Sequence, residues 1–388
     1  MASDSFKESL SAEAACDAIA RGIMRAAPEA EVDLCPMADG GEGTSRALAA
    51  GGEGVARQHT FEVCGPLPGT TVTGRVLVID DGKTALIDMA EAAGIAKVPA
   101  GRRDPTRTTS YGVGELVRHA AVDLGCRRIV VGLGGSATCD AGLGAAQALG
   151  LHLKLGDDFL DRPVTGGDLA RITHVDVPIV GLGARVICLC DVDNPLFDPD
   201  GAAYSFAPQK GATPDQVRAL DAGLRHAVEV CGRLDTAAEP MMGAAGGLAL
   251  GLYLACKAEP RPGAEAVADV AHLDRRLEGA RLCITGEGRF DGGSFRGKVV
   301  GDVGRRCHLA EVPCVALVGG LDAHAAEDAS ALHLAGVFSL ACGPASLAEL
   351  IEMTDERLEQ AAEQVVRFML AIDKTASHAP LPYARQFV

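Results

Sequence analysis

The chain of 388 residues carries a formal net charge of −16, and its hydrophobic content of 48% includes 4% aromatics and no Trp. The excess of negative charge repels polyanions, so nucleic acids and anionic membranes are not expected partners. The length predicts roughly two to three domains, and the aliphatic, glycine-rich composition favours an α/β protein with glycines in turns and ligand loops.

Thirteen cysteines lie mostly inside apolar runs, for example at Cys188 and Cys283, and no CxxC pair occurs. We interpret them as reduced side chains that act as small hydrophobic residues. The N-terminal stretch MASDSFKESL has no apolar signal region, and no apolar run approaches the about 18 residues of a membrane helix. We therefore expect a cytoplasmic protein, and an oligomer is compatible with the sequence.

The N-terminal part of the chain predicts a β/α unit followed by antiparallel strands. Ser11 caps a helix whose apolar residues recur at helical spacing. A short strand at 32–35 leads into the loop MADGGEGT, and a helix follows at 45–50. Three segments of β pattern come next, and Asp81-Gly82 between two of them indicates a hairpin.

Further along the chain, β/α units alternate with glycine-rich loops. Strands are predicted at RRIVV and RVICLC, and helices at 115–124 and 213–231. GAAGGLALGLYLA predicts an apolar helix, and a turn follows at 260–263. The remaining pattern predicts strands at RLCITGEGRF, PCVALVGG and GVFSL, a helix from 299, and a long amphipathic helix over about 346–372.

The two ends of the chain share this regular β/α pattern, which indicates that they form one domain. We expect this discontinuous domain to comprise residues 1–60 and 270–388 and to resemble Rossmann or flavodoxin folds with a parallel sheet. Residues 61–269 then form an inserted, mixed-sheet α/β domain. The predicted class is therefore a two-domain α/β fold.

Four glycine-rich loops follow predicted strands and mix glycine with acidic, hydroxyl or basic residues. They are ADGGEGT at 38–44, GLGGSATCDAG at 132–142, DVDNP with the later APQKGA at 207–212, and TGEGRFDGGSFRGK at 285–298. Because open α/β sheets bind ligands at the carboxyl ends of their strands, four such loops indicate a shared ligand site.

Charged residues in these loops suggest a metal and an anion. Asp191 and Asp193 would point the same way in a continued strand, which suits a magnesium ligand and a general base. The alternative is that they cap the turn before Asn194. Lys7 and Lys210 lie in loops beside Ser, Gln or Gly. Each of these lysines either binds an anion or is simply exposed to solvent, and the sequence leaves both interpretations open. The ten His residues include no pair at metal-ligand spacing, so zinc is not expected.

Two nucleotide-binding motifs are present in part. GGSFRGK at 292–298 has the spacing of a Walker loop, but Val299 replaces the hydroxyl that binds magnesium, so a P-loop is not expected. Lys298 and Arg296 can still reach phosphate as point charges. Residues 132–137, with Asp157 about twenty residues later, fit a dinucleotide fingerprint, so an NAD-dependent oxidoreductase of a small hydroxy acid is the alternative function.

The loops, in this order, resemble the glycerate kinase family that phosphorylates D-glycerate with ATP. The similar blocks are DSFKES, PMADGGEGT, IDMAEAAGI, TTSYGVGELV, GLGGSATCDAG, CDVDNPL, APQKGAT, GAAGG and ITGEGRFDGGSFRGK. The resemblance implies two α/β domains with the active site in the cleft between them. It also implies ATP and Mg²⁺, and transfer of the γ-phosphoryl to a hydroxyl of D-glycerate, usually the 2-hydroxyl, to give 2-phosphoglycerate.

Phosphoryl transfer needs magnesium, cations over the transferring oxygens, and a carboxylate near the attacking hydroxyl. We therefore assign Asp191 as the base, Asp193 as its metal-binding neighbour, and Lys7 as a further catalytic group. The residues expected to bind substrate are Ser5, Asp39, Gly40, Gly41, Glu42 and Arg289. The residues expected to bind the nucleotide are Gly134, Gly135, Ser136, Lys210, Glu287 and Lys298.

The sequence departs from the family pattern at several positions. Met1-Ala2-Ser3 stand where a short apolar strand is usual, so we expect the first strand to be missing, through a misassigned start or a truncation. A non-catalytic, ligand-binding relative is therefore a further alternative. Glu8 replaces a usual Gly, Cys139 replaces Asn, and Gly293-Ser294 replace Gln-Thr. These changes are expected to affect substrate identity and rate more than the fold.

Overall fold

The computed structural model describes residues 1–41, 43–51, 55–176, 181–295 and 297–376, with side chains as far as residue 373. Its contacts divide the chain into two compact units, of which the first comprises Met1–Met37 and Ala271–Val388 and the second comprises Ala38–Val270. Both units combine helices with sheets, which confirms the predicted α/β class.

The elements are numbered in chain order. The strands are β1 Ala2–Ser3, β2 Arg57–Cys64, β3 Thr71–Ile79, β4 Thr84–Asp88, β5 Arg128–Gly132, β6 His152–Leu155, β7 Asp158–Phe159, β8 Ile172–Asp176, β9 Arg185–Cys190, β10 Glu259–Pro262, β11 Cys283–Phe290, β12 Cys314–Leu321 and β13 Gly336–Ser339. The α-helices are α1 Ala12–Ala26, α2 Thr44–Gly51, α3 Ala90–Ala93, α4 Tyr111–Arg118, α5 Leu143–Ala148, α6 Ala202–Phe206, α7 Pro214–Cys231, α8 Leu234–Ala237, α9 Ala244–Cys256, α10 Gly263–Val270, α11 Leu273–Leu277, α12 Val299–Leu309, α13 Ala323–Glu327, α14 Leu347–Glu352 and α15 Thr354–Ala376.

The first unit is built on a parallel sheet of four strands in the order β1-β11-β12-β13. Helices α1 and α15 bury apolar side chains against this sheet, among them Ile19 and Leu358. Helix α1 begins where the sequence predicts, because the Ser11 side chain accepts a hydrogen bond from the Ala14 N–H at 3.3 Å. This cap satisfies a backbone donor that has no partner within the helix.

The first strand is present, which corrects the prediction that it is missing. Although β1 has only two residues, Ala2 pairs with Thr285 and Ser3 pairs with Gly286 of β11. The Thr285 hydroxyl also donates to the Ala2 carbonyl at 2.7 Å. Ala2 and Ser3 therefore form a short first strand beside β11.

The segment predicted as a strand at 32–35 is not assigned as one. Instead, the N–H groups of Cys35 and Met37 donate to the carbonyls of Met1 and Ser3, at 2.9 Å each. The segment thus covers the outer edge of β1, and the unpaired sheet position that the sequence suggests does not arise.

The second unit contains a mixed sheet of six strands in the order β10-β9-β5-β4-β3-β2. The first four are parallel, whereas β3 is antiparallel to β4 and β2 is antiparallel to β3. The predicted hairpin is confirmed, since Asp80–Gly82 connect β3 to β4. Helices α4 and α9 pack on this sheet, and α7 packs near a small antiparallel sheet, β7-β6-β8, which the sequence analysis does not predict.

The first boundary between the units lies at residue 37, whereas the sequence pattern predicts it at residue 60. Helix α2 packs against β3 and β4, which belong to the second unit. The Asp88 carboxylate at the end of β4 also accepts hydrogen bonds from the Ser45 N–H and hydroxyl. These contacts attach the loop at 38–44 and its helix to the second unit.

Several other elements differ from the sequence prediction. Residues predicted as a turn at 260–263 lie mostly in β10, which pairs in parallel with β9. The first part of the predicted loop at 285–298 is the end of β11. The long C-terminal helix is divided at Met353 into α14 and α15. Near its start, α9 contains left-handed residues at Ala245, Gly246 and Gly247.

All thirteen cysteines carry free thiols, and Cys342 is the one exposed to solvent. Most of the others are buried, as expected of cysteines that act as small hydrophobic residues. Within the described residues, no helix is both long enough and apolar enough to cross a membrane.

The turn that follows Phe6 generates a prediction about stability. Ser9 N–H donates to the Phe6 carbonyl at 2.8 Å, and Glu8 within this turn has a φ of 66°. A residue with a Cβ costs about 1–2 kcal/mol in the left-handed region, and Gly loses about 0.5–1 kcal/mol in chain entropy. We expect Glu8→Gly to raise the free energy of unfolding by about 0.5–1 kcal/mol, measured by urea denaturation.

The matched control is Glu8→Ala, which removes the same carboxylate and keeps the Cβ. We expect this variant to gain little stability. Equal stabilisation by both substitutions would mean that charge, and not the backbone, is responsible.

Candidate active site

Polar loops follow three neighbouring parallel strands of the second unit. Asp88 at the end of β4 is in register with Gly132 of β5, which in turn is in register with Leu189 of β9. The loop containing Gly134–Ser136 therefore begins beside the segment that carries Asp191. The carboxyl ends of parallel strands are the usual location of ligand sites in open α/β sheets.

The loop at 38–41 lies against these strand ends. The Gly134 N–H donates to the Gly40 carbonyl at 3.1 Å, and the Gly41 N–H donates to Asp39 Oδ1 at 3.1 Å. Gly40 has a φ of 98°, and a Cβ there would lie 2.8 Å from the Leu189 carbonyl oxygen. Only Gly fits this position without strain. Glu42, the remaining acid predicted in this loop, lies outside the described residues.

Asp88 holds the helix that follows this loop. Its two carboxylate oxygens accept hydrogen bonds from the Ser45 N–H at 3.1 Å and from the Ser45 hydroxyl at 2.8 Å. Burial raises the pKa of Asp88, and the hydrogen bonds from Ser45 oppose this shift. Asp88 is not among the site residues predicted from sequence, although its position at the end of the buried strand segment ALID is a signal that could have identified it.

A cavity of about 380 Å³ opens at these strand ends. Its lining includes five of the residues predicted from sequence and one that was missed. The five are Gly134, Gly135, Ser136, Asp191 and Lys210, and the sixth is Arg103. The backbone of Arg103 packs against Gly211, where a Cβ would lie 2.3 Å from the Arg103 carbonyl oxygen. Two adjacent arginines in an acidic chain, at 102–103, were the available signal.

The glycine-rich loop in this cavity is held on both sides. The Ile95 N–H donates to the Gly135 carbonyl at 2.8 Å, and the Ala137 N–H donates to the Ala93 carbonyl at 2.9 Å. Among the hydrogen bonds of the described residues, none uses the N–H of Gly135 or Ser136. Successive backbone N–H groups in a rigid turn form a binding site for an anion.

Lys210 lies beneath this loop and is almost completely buried, so the alternative of a solvated lysine is wrong. Its Nζ donates to the Thr138 carbonyl at 2.7 Å. Burial lowers the pKa of Lys210 to about 8, and the negative charge of Asp140 acts in the opposite direction. A buried ammonium group with a cavity on one side can interact strongly with an anion, because the local dielectric is low.

Asp140 has a structural role that the sequence analysis does not predict. One of its oxygens accepts hydrogen bonds from the Ser110 N–H at 2.7 Å and hydroxyl at 2.8 Å, and the other accepts from the Gly142 N–H at 3.1 Å. Burial raises the pKa of Asp140 against these hydrogen bonds. The neighbouring Cys139 packs in an apolar core. Asp140 is therefore oriented without the amide that Asn at position 139 would supply.

The two aspartates predicted as a pair occupy different positions. Asp191 lines the cavity, and Asp193 is outside the set of described residues that line it. Strand β9 ends at Cys190, so the side-chain alternation on which the pairing depends does not extend to these residues. Instead, the Asp193 carbonyl accepts a hydrogen bond from the Met241 N–H at 3.1 Å.

The first unit contains a separate cavity of about 460 Å³. Lys7 and Arg289, both predicted from sequence, line it together with Glu8, Asp322 and Arg357. The set of lining residues does not include Ser5, whose N–H donates to Asp4 Oδ1 at 2.6 Å. The cavity thus brings two predicted cations together with a third that the sequence analysis does not name.

Glu287 and Lys298 also belong to the first unit. Glu287 is buried and accepts a hydrogen bond from the Ser294 hydroxyl. Ser294 Oγ also accepts from the Asp291 N–H at 3.1 Å, so this serine retains the hydroxyl of the usual Thr. The Nζ of Lys298 lies beside Gly293, 3.3 Å from where a Cβ would be. Arg296 lies outside the described residues.

The loop after β5 does not have the geometry of a dinucleotide fingerprint. Such a motif needs a helix that begins directly at the glycine-rich turn, whereas α5 begins at Leu143. Asp157, the expected ribose ligand, lies in the turn between β6 and β7, outside the six-stranded sheet. The oxidoreductase alternative is therefore not favoured.

Comparison with known proteins finds similar sequences and a similar structure that are named as glycerate kinases. A glycerate kinase of Bacillus cereus is 38% identical over 374 residues, covering 94% of this chain and 96% of its own length. The Escherichia coli K12 protein named glycerate 2-kinase is 39% identical over 348 residues, covering 87% of this chain and 88% of its own. A crystal structure from Salmonella typhimurium LT2, provisionally identified as glycerate kinase 2, has a TM-score of 0.83 and 37% identity, covering 96% of this chain and 98% of that one.

The family model described as the glycerate kinase family matches residues 1–370. That range includes the second unit, most of the first unit and every candidate site residue. The match over nearly the whole length, together with relatives well above 30% identity, shows that the chain belongs to the glycerate kinase family.

Proposed function

We propose that the protein is an ATP-dependent kinase that transfers the γ-phosphoryl group to a hydroxyl of D-glycerate, giving 2-phosphoglycerate and ADP. Its family membership supports this activity, and the relative named glycerate 2-kinase supports the choice of the 2-hydroxyl. The observation that carries the proposal is the cavity that Gly135, Ser136, Asp191 and Lys210 line together.

The glycine-rich loop and Lys210 are the proposed binding site for the ATP phosphates. The N–H groups of Gly135 and Ser136 can each donate to a phosphate oxygen. The hydrogen bonds of the Gly134 N–H, the Gly135 carbonyl and the Ala137 N–H already hold the loop in place. Lys210 would neutralise charge on the transferring group, and Arg103 at the same cavity would add a second cation. Preorganised donors of this kind stabilise the transition state without paying a reorganisation cost.

Asp191 is the proposed general base. Asp191 lines the cavity that also contains the proposed phosphate-binding residues. A carboxylate there can accept the proton of the attacking hydroxyl as the new P–O bond forms. The remaining prediction for this segment, that Asp193 binds magnesium, is retained as a proposal.

We propose that a magnesium ion binds at this cavity mainly through the nucleotide, because Asp191 is the one acidic residue among the described residues that line it. Among the described residues, no group of three close His, Cys, Asp or Glu side chains includes Asp191, Asp193 or Asp39. Mg²⁺ does not require such a group, because it typically binds one or two carboxylates, substrate phosphates and waters. Asp193, with Asp39 orienting a water, would then hold the ion, which supplies charge neutralisation on the phosphates.

The remaining assignments also stay proposals. Ser5, Lys7 and Arg289 are proposed to bind the glycerate carboxylate or the transferred phosphate, and Glu287 and Lys298 to contact the nucleotide. Asp39, Gly40, Gly41 and Glu42 are proposed to position the substrate. The active site is proposed to form in a cleft between two domains, as the family resemblance implies.

The proposed reaction is tested by incubating the purified chain with D-glycerate, ATP and Mg²⁺ and following ADP release with a coupled assay. Enolase added to the product distinguishes 2-phosphoglycerate, its substrate, from 3-phosphoglycerate. We expect ADP release that depends on glycerate. Ligand-induced stabilisation without ADP release would favour a non-catalytic binding protein, and a nicotinamide absorbance change with no ATP requirement would favour an oxidoreductase.

Replacement of the proposed base tests the role of Asp191. We expect Asp191→Asn to lower kcat by about 10²- to 10⁴-fold, because a positioned base contributes roughly this factor. KM for ATP should change much less, since the phosphate donors are retained. Asp200→Asn makes the same chemical change at an exposed turn residue and should keep normal turnover. Near-normal kcat in Asp191→Asn would remove the assignment.

The lowered pKa of Lys210 predicts that nucleotide affinity depends on pH. The ammonium form binds the phosphates, and burial lowers the pKa of this group to about 8 in the free protein. Above that pH, Lys210 in the free protein is mostly neutral and must take up a proton before it binds the phosphates. The affinity for the nucleotide should therefore fall by up to about tenfold per pH unit, until the pH reaches the pKa of Lys210 in the nucleotide complex. Calorimetry with a non-hydrolysable ATP analogue between pH 7 and pH 9.5 measures this effect.

The comparison variant for this experiment is Lys210→Arg, with folding checked by circular dichroism. A guanidinium stays protonated over the whole range, so the pH dependence of affinity should flatten. Equal affinities for the unmodified protein at pH 7 and pH 9.5 would contradict the role of Lys210.

A further inference from the structure

Three cysteines of the first unit meet at the amino ends of its central strands. Cys283 is the first residue of β11, Cys314 is the first residue of β12, and the two are partners in the strand register. Cys307 lies near the end of α12. Their Sγ atoms all lie within 4.8 Å of one another, and all three residues are buried.

This spacing is close to that of a three-coordinate metal thiolate. Sulfur ligands lie about 2.3 Å from a first-row metal such as zinc, so three of them around an ion in one plane are about 4.0 Å apart. Small adjustments of the three side chains would bring the observed positions to that spacing. Across the described residues, no other group of three His, Cys, Asp or Glu side chains is close enough to share an ion.

The number and type of ligands select among metals. Structural zinc sites almost always have four ligands, whereas the described residues provide three. Soft thiolate ligands favour Cu(I), which accepts three-coordination. We propose that Cys283, Cys307 and Cys314 form a buried site that binds one Cu(I) ion per chain.

Within the first unit, the proposed site is separate from Arg289, which is assigned to substrate binding. Arg289 lies six residues beyond Cys283 on β11, and this corresponds to about 20 Å along an extended strand. Binding of Cu(I) is therefore expected to stabilise the first unit rather than to compete with substrate. Coordination displaces the proton of each ligating thiol into solvent and requires no oxidant or reductant.

The experiment uses the full chain in a Cys342→Ala background, which removes the exposed thiol. Because the site is buried, the protein is unfolded and refolded without oxygen in the presence of Cu(I), and excess metal is removed with a Cu(I) chelator. We expect one retained equivalent by elemental analysis, thiolate-to-copper charge-transfer absorbance, and a higher midpoint of thermal unfolding than in the metal-free protein.

Cys307→Ala should lose the retained copper, its absorbance and the thermal shift. Cys126→Ala removes a buried thiol from the second unit and should keep all three. Cys314→Ala provides an independent test if Cys307→Ala fails to refold.

Failure to retain copper would overturn the proposal, as would equal retention by the cluster variants and the control. A disulfide between Cys283 and Cys314 in the isolated protein, or retention of zinc in place of copper from an equimolar mixture, would also overturn it.

Discussion

The arrangement of the candidate site depends on the hydrogen bonds that the Asp88 carboxylate accepts from Ser45. Asp88 is buried at the end of β4, and its two oxygens bind the Ser45 N–H and hydroxyl at 3.1 and 2.8 Å. Ser45 lies in the first turn of α2, where backbone N–H groups have no partner within the helix and an acidic group is favourable. A carboxylate buried without such partners would cost several kcal/mol. The pairing therefore holds α2 against the sheet. Because the preceding loop is continuous with α2, the pairing also positions that loop.

The attachment of α2 at the end of β4 also positions the loops that follow β5 and β9, because these strands are parallel and in register. Asp88, Gly132 and Leu189 lie side by side, so a segment fixed at β4 extends over the ends of β5 and β9. There the Gly40 carbonyl accepts the Gly134 N–H, and the absence of a side chain on Gly40 allows contact with Leu189. Segments far apart in sequence thus form one rigid surface. Rigidity matters for phosphoryl transfer, because catalysis depends mainly on positioning and fixed dipoles.

Patterns in the local sequence predicted the elements that have clear periodicity or capping residues. They did not predict the elements that form only by pairing with distant segments of the chain. Strands β3 and β5 and the capped helices α1 and α7 carry clear periodicity and caps. The two residues of β1 are too few for a pattern, and Pro260 and Pro262 obscure β10, which tolerates proline because it is an edge strand. The same contrast between local and distant interactions applies to the residues of the candidate site. Strand-end glycines identified the loop around Gly134, whereas the role of Asp88 depends on a partner in another segment of the chain.

The departures from the family pattern have different physical consequences. Ser294 keeps the hydroxyl of the usual Thr and bonds to Glu287, so its loss of a methyl group leaves the polar contact intact. Cys139 packs in an apolar core, while Ser110 and Gly142 orient the adjacent Asp140, so an amide at position 139 is not needed for that purpose. Glu8 differs from both, because it adopts a left-handed conformation that suits Gly and places a carboxylate beside Lys7 at the cavity of the first unit. This one substitution therefore adds both backbone strain and a negative charge at that cavity.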